Sequence, residues 1–466
     1  MQLIDFFSCQ KMITESQKLG SIPPSEQIYK STMNLAWPSA LERILVSLVS
    51  AMDTMMVGVL GASAIAAVGI TQQPTFILLA IIFSLNVGVT AIVARRCGEE
   101  DFASANRTLR QSIIIVGLLS IILATIGFLF AKPILTWMGA EADVLHDAIL
   151  YFRTIVIGMV FNALSLNINA AQRGAGNTKI AMTTNVIANL VNLIFNFLLI
   201  GGNFGFPSLG VLGAGVATVL GNIVAFVIAT YGILHSKTEL QLKFNESWKL
   251  DLVTIKGIFK ISNSAMVEQL CMRIGFLVYT KMITNLGTVA FATHQICMNI
   301  LNMTFSLGDG MAMAASSLVG RNLGAKRADL SIIYGKTAQR IGLIFSTLLV
   351  LIYVFLREPL VSLFTDDAMI VNLASQIMLI VAVVSPLQIS QVIISGSLRG
   401  AGDTKFVART SFISILMIRP IITFILCYWL GFGLIGAWLA LLLDQTLRLI
   451  LNIVRFSSGK WIHVKI

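Results

Sequence analysis

Apolar runs of about twenty residues recur along this chain, and they limit its fold more than any other feature. One of them, SIIIVGLLSIILATIGFLFA, extends from Ser112 to Ala131. Roughly 20 apolar residues are what an α-helix needs to cross the hydrocarbon of a bilayer. Only 12% of the 466 residues are charged, whereas a soluble domain uses about 25% to cover its surface. The sequence therefore predicts an all-α integral membrane protein.

Twelve runs of this kind predict twelve transmembrane helices. Helices 1 to 6 are predicted at 35–58, 72–94, 111–131, 148–170, 181–200 and 211–234. Helices 7 to 12 are predicted at 259–285, 296–319, 341–357, 370–396, 410–430 and 434–455. Each run meets the length that one span requires.

An internal repeat divides these helices into two sets of six. The segment QRGAGNTK at Gln172–Lys179 returns as LRGAGDTK at Leu398–Lys405, a spacing of 226 positions, and the same spacing relates Glu42 to Glu268. Further pairs at this spacing are Leu60 with Leu286, Gly61 with Gly287, and Arg95 with Arg321. One constant spacing across most of each half indicates a duplicated six-helix unit.

Because six is an even number, both halves begin on the same side of the membrane. They are predicted to be parallel repeats, related by an axis along the membrane normal. The predicted order is a cytoplasmic N-terminal segment at 1–34, an N-lobe at 35–234, a cytoplasmic connector at 235–258, a C-lobe at 259–455 and a cytoplasmic tail at 456–466.

The positive charges of the chain predict its orientation. The net charge is +11, and most of the 33 Lys and Arg residues fall in predicted loops on the side that carries both termini, whereas only Lys132 and Arg357 fall in loops on the opposite side. Basic loops stay in the cytoplasm. We therefore expect a multi-pass protein of the plasma membrane with both termini cytoplasmic, and the basic composition does not indicate a nucleic-acid partner.

Two carboxylates stand out in predicted helix 1. Glu42 and Asp53 are eleven residues apart, about three helical turns, so they share one face. Glu42 lies near the cytoplasmic end, where a basic side chain can pair with it. Asp53 lies deeper and has no basic residue within four positions of its helix. Because a charge inside the bilayer is costly, Asp53 is predicted to be a functional carboxylate.

Helix 5 carries an amide stripe made of Asn185, Asn189, Asn192 and Asn196, spaced by four, three and four residues. Hydrogen bonding between helices is one explanation of such a stripe. The other is a polar cavity facing Asp53. There the amides supply carbonyl oxygens to a hard cation, or a hydrogen-bond network to a carboxyl group that titrates.

The C-lobe differs from the N-lobe at the candidate site. Tyr279 holds the position equivalent to Asp53. The residues predicted to contact substrate there are Glu268, Tyr279, Asn299, Asn302, Gln388 and Gln391. Arg273, Lys281 and Arg419 either neutralise Glu268 or line an aqueous path, and His294 is predicted to be a packed, hydrogen-bonded residue.

The sequence does not predict an enzyme. It contains no clustered catalytic set, and its five cysteines lack the spacing of a metal site. It also lacks the GxxxxGK[ST] phosphate loop, so the energy for transport must come from a gradient or from another subunit. We expect no cofactor, a small organic substrate, the lipid bilayer as surroundings, and a chain that acts as a monomer.

Three groups of motifs resemble one known family. DTMMVGVLGASAIAAVG at Asp53–Gly69, LGTVAFATHQI at Leu286–Ile296 and the paired RGAGNTK and RGAGDTK loops are similar to the multidrug and toxic compound extrusion (MATE) family. The resemblance implies twelve helices in two lobes, a V-shaped cleft and export driven by Na⁺ or H⁺. It also implies that Asp53 is the coupling carboxylate, with Asn192 and Asn196 in its cation network and Na⁺ as one candidate ligand.

Two departures from the family leave the coupling ion open. One branch usually has an Asp on helix 10, where this chain has Gln388, and another often has an Asp on helix 5, where this chain has Asn196. The predicted function is an antiporter that exports small cationic or amphipathic organic compounds in exchange for Na⁺ or H⁺. The alternative is a flippase of lipid-linked precursors. It requires a cationic cleft, for which the candidate residues are Arg153, Arg273, Lys281 and Arg419.

Overall fold

The computed structural model describes residues 8–140, 142–236, 240–243, 245–365 and 367–464. The predicted N-terminal segment, connector and tail each include residues outside these ranges. The described part of the chain is helical and contains twelve long helices, which we number α1 to α12. The all-α fold class with twelve helices is therefore confirmed.

The first six long helices are α1 (Ser25–Gly58), α2 (Ala62–Gly98), α3 (Phe102–Leu129), α4 (Ala142–Gly174), α5 (Thr178–Gly201) and α6 (Gly210–Leu234). The second six are α7 (Leu252–Thr284), α8 (Thr288–Gly324), α9 (Ala328–Phe355), α10 (Ala368–Gly400), α11 (Thr404–Trp429) and α12 (Gly433–Ser457). Short helices at Ala131–Trp137 and Arg357–Ser362 follow α3 and α9.

The helix ends repeat as closely as the sequence motifs do. Both ends of α2, α3 and α4 recur in α8, α9 and α10 at a spacing of 226 residues, and both ends of α6 recur in α12 at 223. Gly61 and Gly287 begin α2 and α8 with the same positive φ, 106° and 104°. The predicted duplication of a six-helix unit is thereby confirmed.

Most of the long helices suit a membrane by length and composition. Within the described residues, nine are long and apolar enough to cross one, namely α2 to α6 and α9 to α12. The three that remain, α1, α7 and α8, carry five of the ten residues predicted for ion coupling or substrate contact. Glu42 and Asp53 lie on α1, and Glu268 lies on α7.

Contacts between residues divide the chain into two compact units. The N-terminal unit is Leu41–Ser262, and the C-terminal unit joins the described residues up to Ala40 to those from Asn263 onward. The divisions fall inside α1 and α7, so the first turns of each helix belong to the other unit. The predicted lobes begin at residues 35 and 259, a few residues before these divisions.

Each unit has its own apolar core. In the N-terminal unit, Phe152, Leu135 and Ala67 are among the buried residues of one cluster. In the C-terminal unit, Trp438 and Ile377 belong to another. The N-terminal segment also packs into the C-terminal unit. Its buried residues Cys9, Met12, Ile13 and Ile28 form a cluster with Leu330 and Ile333 of α9.

Candidate functional site

The carboxylate of Asp53 on α1 is held by amide groups of α5. Asn196 Nδ2 donates a hydrogen bond of 2.6 Å to Asp53 Oδ1. Asn192 lies one turn earlier on α5. With its Nδ2 turned toward α1, it donates to both oxygens of Asp53, at 3.0 and 3.2 Å. The structure thus brings together three of the four residues predicted for ion coupling.

No basic side chain among the described residues forms an ion pair with Asp53, which is only partly buried. Asn192 and Asn196 are 6% and 2% exposed. The Oδ1 atom of Asn196 is enclosed and has no hydrogen-bond partner. The residue that donates to the Asp53 carboxylate thus has an unsatisfied amide oxygen of its own, and carboxylate and amide oxygens are the ligand types that a hard cation prefers.

This site lacks the donor set of a structural metal centre. Among the described residues, no three His, Cys, Asp or Glu side chains come together as a metal site. One carboxylate and neutral amides can hold a monovalent cation weakly, or the carboxylate can take a proton in its place. Both events would remove the same unpaired charge.

The other two asparagines of the stripe lie apart from Asp53. Asn185 Nδ2 donates to Glu42 Oε1 at 2.6 Å, and Arg173 Nη1 donates to the same oxygen at 3.4 Å. Asn189 Nδ2 donates to the backbone carbonyl of Asn185 on its own helix. Asn189 is therefore not among the described hydrogen-bond partners of Asp53, in contrast to the grouping predicted from its spacing.

Glu42 is neutralised from the last turn of α4. Arg173 lies beyond the predicted end of helix 4 at residue 170, but α4 continues to Gly174, and its guanidinium reaches Glu42 inside the N-terminal unit. Their side chains are 5% and 10% exposed. This pair supports the structural interpretation of Glu42.

Glu268 of the C-terminal unit has an equivalent partner. Arg399 Nη2 and Nε donate to its two carboxylate oxygens at 2.6 and 3.3 Å. Glu42 and Arg173 are related to Glu268 and Arg399 by the same 226-residue spacing, so the ion pair itself is duplicated. The expectation that Arg419 neutralises Glu268 is wrong, because Arg419 pairs with another acid.

That acid is Asp444 of α12, which sequence reasoning missed. Arg419 donates to Asp444 Oδ2 through Nη2 and, at 3.2 Å, through Nε. Ser414 donates to Asp444 Oδ1. The two charged side chains are 3% and 0% exposed. The sequence signal was available, since both are ionisable residues within apolar runs.

Tyr279 occupies the place of Asp53 but is fully buried. Its hydroxyl donates to the carbonyl of Ala437 at 2.9 Å. The guanidinium of Arg419 lies 5.6 Å from the centre of its ring. His294 packs between Tyr279 and Trp438, with ring centres 5.6 and 5.5 Å away, and its Nδ1 has no hydrogen-bond partner. The predicted hydrogen bond of His294 is thus missing at Nδ1, while its packed position agrees.

The remaining residues predicted to contact substrate fall into two environments. Asn299 and Asn302 of α8 are exposed. Gln388 and Gln391 of α10 are buried, at 8% and 2%. The two asparagines are therefore exposed and the two glutamines buried, and Tyr279 is buried as well. The six residues predicted to contact substrate do not form one accessible surface within the C-terminal unit.

Two of the four basic residues proposed for a flippase cleft interact with other groups of the protein. Arg419 is enclosed with Asp444. Arg153 donates to the carbonyl of Phe128 and lies over the ring of that residue, 4.9 Å from its centre. These contacts remove two of the four cations from the predicted cleft.

Two duplicated six-helix units, each with a buried ion pair among its spans, define a polytopic helical membrane protein. The family model described as MatE matches residues 38–198 and 264–425. The chain therefore belongs to the MATE family of transporters, and the resemblance found in its motifs is confirmed.

Curated relatives extend over nearly the whole chain. A protein named "Probable multidrug resistance protein NorM" from Thermotoga maritima is 27% identical over 93% of this chain and 93% of its own. An "Uncharacterized transporter YisQ" from Bacillus subtilis is 28% identical over 94% and 96%. "Multidrug resistance protein MdtK" from Edwardsiella ictaluri is 26% identical over 93% and 91%.

Solved structures share the fold at lower identity. One, described as the outward-facing conformation of a multidrug resistance MATE family transporter of the MOP superfamily, has a TM-score of 0.87 at 21% identity and covers 93% of this chain and 97% of its own. A MATE crystal structure in a bent conformation has a TM-score of 0.85 at 20% identity and covers 93% and 98%. The chain is thus a multi-pass membrane transporter with the MATE fold.

Proposed function

We propose that this transporter is a secondary active antiporter that exports small cationic or amphipathic organic compounds in exchange for Na⁺ or H⁺. The single observation that supports it best is the state of Asp53. Glu42, Glu268 and Asp444 each pair with an arginine, whereas Asp53 accepts hydrogen bonds only from neutral amides among the residues that the structure describes.

An unpaired carboxylate in a membrane helix is a switch that an ion can operate. Its charge is costly in low dielectric surroundings, so binding a cation or a proton changes the energy of the helix that carries it. Asn196 Oδ1 and the carboxylate oxygens provide ligands for Na⁺, and the same carboxylate can bind H⁺. In this scheme, ion binding from outside favours substrate release, and the return of the ion to the cytoplasm resets α1.

The free energy from one coupled ion is sufficient to drive an exporter. When the substrate is uncharged, the entry of one monovalent cation down about 100 mV releases roughly 2.3 kcal/mol. That free energy sustains a substrate gradient of about fifty-fold. Exchange for a monovalent cationic substrate, by contrast, moves no net charge and is driven by the concentration gradient of the ion. In this proposal both termini lie in the cytoplasm and substrate moves outward. The cytoplasmic position of the termini agrees with the basic loops of the chain.

The test is efflux of a fluorescent organic cation from proteoliposomes, with a Na⁺ gradient, a H⁺ gradient or neither. The Asp53→Asn variant is expected to lose uphill transport, because it can no longer exchange a charge. The gradient that drives the wild type identifies the coupling ion. Uphill transport at the wild-type rate by Asp53→Asn would overturn the proposal.

A matched control removes another carboxylate from the same unit. Asp147 of α4 is exposed, and Asp147→Asn makes the same chemical change as Asp53→Asn. We expect it to retain gradient-driven efflux within about two-fold, because a single exposed charge contributes little.

A further inference from the structure

Arg448 of α12 is a buried arginine that has no partner within the described part of the chain. It is 7% exposed. Its guanidinium makes no hydrogen bond or ion pair with any residue that the structure describes, and its Nε is enclosed with no acceptor in reach. An arginine carries five N–H donors and stays charged at all physiological pH values. Leaving such a group unsatisfied inside a membrane unit is costly, so its presence needs a reason.

The nearby carboxylates are already occupied by other arginines. Asp444 lies one turn before Arg448 on α12, but its oxygens accept from Arg419 and Ser414. Glu268 accepts from Arg399 through both oxygens. Arg448 lies within electrostatic range of both ion pairs and adds a third positive charge to their two negative ones.

One further acid lies at the edge of this cluster. Asp309 of α8 interacts with Arg399 and is partly exposed. It is absent from the charged groups that act on Arg448. The two carboxylates that act on Arg448 are therefore the ones already paired with Arg419 and Arg399.

Several amide side chains of α10 and α12 carry an enclosed oxygen that has no hydrogen-bond partner among the described residues. The unsatisfied amide oxygens belong to Gln388, Gln391, Gln445 and Asn452. Gln391 and Asn452 both donate to Ser395 Oγ at 2.9 Å, which joins α10 to α12 one turn from Arg448. Arg419 Nη1 is a second enclosed donor with no acceptor. The free guanidinium donors of this region are the groups that bind an anion, and the amide oxygens can accept hydrogen bonds from the water around it.

The terminal nitrogens of Arg448 remain accessible. Its Nε is enclosed, whereas its two terminal nitrogens are not among the enclosed atoms without a partner. Since those nitrogens make no hydrogen bond either, they retain accessible surface. The planar end of the guanidinium is the part that binds carboxylates with two parallel hydrogen bonds.

The N-terminal unit has no counterpart of the charged residues Arg419, Asp444 and Arg448. The position equivalent to Arg419 is Leu193, and the positions equivalent to Asp444 and Arg448 are Gly221 and Ala225. The feature is therefore an addition to the C-terminal unit rather than a product of the repeat.

We propose that the C-terminal unit binds a monovalent anion at the guanidinium of Arg448, either as a free small anion or as the carboxylate of a bound organic molecule. This site is separate from Asp53 and does not depend on which ion couples transport. It assigns the unit a ligand of opposite charge to the cation proposed for the N-terminal unit.

The test is thermal unfolding of the purified full-length protein, followed by tryptophan fluorescence, as chloride or benzoate replaces isethionate at constant ionic strength. A specific anion should raise the Tm with a saturable dependence, by about 3–5 °C near 100 times its Kd. A response to chloride indicates a free anion, and a response to benzoate alone indicates an organic carboxylate. The absence of a saturable response to either would overturn the proposal.

Two variants assign the response to one residue. Arg448→Gln should abolish the anion dependence, and it should raise the Tm in isethionate, because an uncompensated charge has been removed. Arg455→Gln is the matched control. Arg455 lies two turns further along α12 and already pairs with Asp403 at 2.7 Å, so the anion dependence should remain. An unchanged anion dependence in Arg448→Gln would contradict the assignment.

A binding measurement keeps the proposal testable if Arg448→Gln does not fold. Radiolabelled chloride or benzoate is bound to the wild type and to Arg448→Lys, which retains the charge but not the planar pair of donors. We expect one saturable site in the wild type and a weakening of about ten-fold or more in Arg448→Lys. Equal affinity in the two proteins would refute binding at this guanidinium.

Discussion

The two units of this transporter share an ion pair but differ in what surrounds it. In the N-terminal unit Glu42 pairs with Arg173, and in the C-terminal unit Glu268 pairs with Arg399. The pair lies at the same place in both repeats, so its role belongs to the six-helix unit itself. A carboxylate within a span is therefore not evidence of coupling when its arginine is present.

The units differ at the position of Asp53. Tyr279 replaces it in the C-terminal unit, where Ile418 and Ile422 replace Asn192 and Asn196. The place of the amide-bound carboxylate in one unit is thus taken by a buried tyrosine in the other. The charges of the C-terminal unit lie instead on α11 and α12, where Arg419, Asp444 and Arg448 gather. The repeat provides the scaffold, and the departures from it mark the positions where function is expected.

The geometry of α11 accompanies this difference. Its counterpart α5 is α-helical from Thr178 to Gly201, whereas α11 contains π-helical segments at Phe412–Ile418 and Ile425–Trp429. Arg419–Phe424 is the α-helical turn between them. A π segment shifts the faces of a helix and is frequent at functional sites. Arg419 lies at the start of the α-helical turn between these segments and pairs with Asp444.

The largest stability effect predicted by this comparison comes from separating Arg419 and Asp444. Arg419→Leu introduces the residue of the equivalent position, Leu193, and leaves Asp444 as a buried unpaired charge. We expect a loss of about 3–5 kcal/mol, measured by denaturation of the purified protein. The double variant Arg419→Leu/Asp444→Asn should recover most of it. A double variant as unstable as the single one would show that the pair is not what stabilises this region.

The second prediction concerns the amide stripe of α5. Asn196→Ala removes the 2.6 Å hydrogen bond to Asp53 and an oxygen ligand beside it. A hydrogen bond to a charged group is worth about 1.5–3 kcal/mol. The ion concentration for half-maximal transport should therefore rise about ten-fold or more. Asn189→Ala is the matched control and should change it less than two-fold, because Asn189 bonds only within α5 among the described residues. Equal effects would remove the distinction between the two asparagines.

The smallest predicted effect should be the same in both units. Gly61 and Gly287 have φ values of 106° and 104°, and an added Cβ would meet no atom within 4 Å at either place. Substitution by Ala should therefore act through the backbone alone and cost about 1 kcal/mol or slightly more. Thermal unfolding of Gly61→Ala and Gly287→Ala measures it. A large difference between the two variants would mean that the turns are not equivalent.

Much of this fold is predictable because the repeat and the apolar runs are strong signals. The motif pair at Gln172–Lys179 and Leu398–Lys405 gives the duplication, and the structure repeats the helix ends at the same spacing. Helix ends are less accessible to prediction. Hydropathy marks the part of a helix that lies in hydrocarbon, so α4 was predicted at 148–170 although it extends to Gly174. Because of this difference, Arg173 lies outside the predicted helix.

The candidate sites are predictable only where partners lie on one periodic face. The spacing of Asn192 and Asn196 placed them together, and the structure brings both to Asp53. The pairing of Arg419 with Asp444 joins neighbouring helices across 25 residues, and the π segments of α11 alter which faces meet. No periodic pattern in a single helix reports such a contact. The unpaired state of Arg448 likewise depends on knowing which carboxylates are already occupied.

The measurement that tests the account most directly is ion flux driven by substrate. Proteoliposomes are loaded with the organic cation, without any ion gradient, and the movement of Na⁺ and H⁺ is followed as the substrate leaves. If Asp53 is the coupling group, the wild type moves one of these ions inward in proportion to substrate. The Asp53→Asn variant should then move neither ion, while Asp147→Asn behaves as the wild type. Ion movement by Asp53→Asn at the wild-type ratio would contradict the claim that coupling lies in the N-terminal unit.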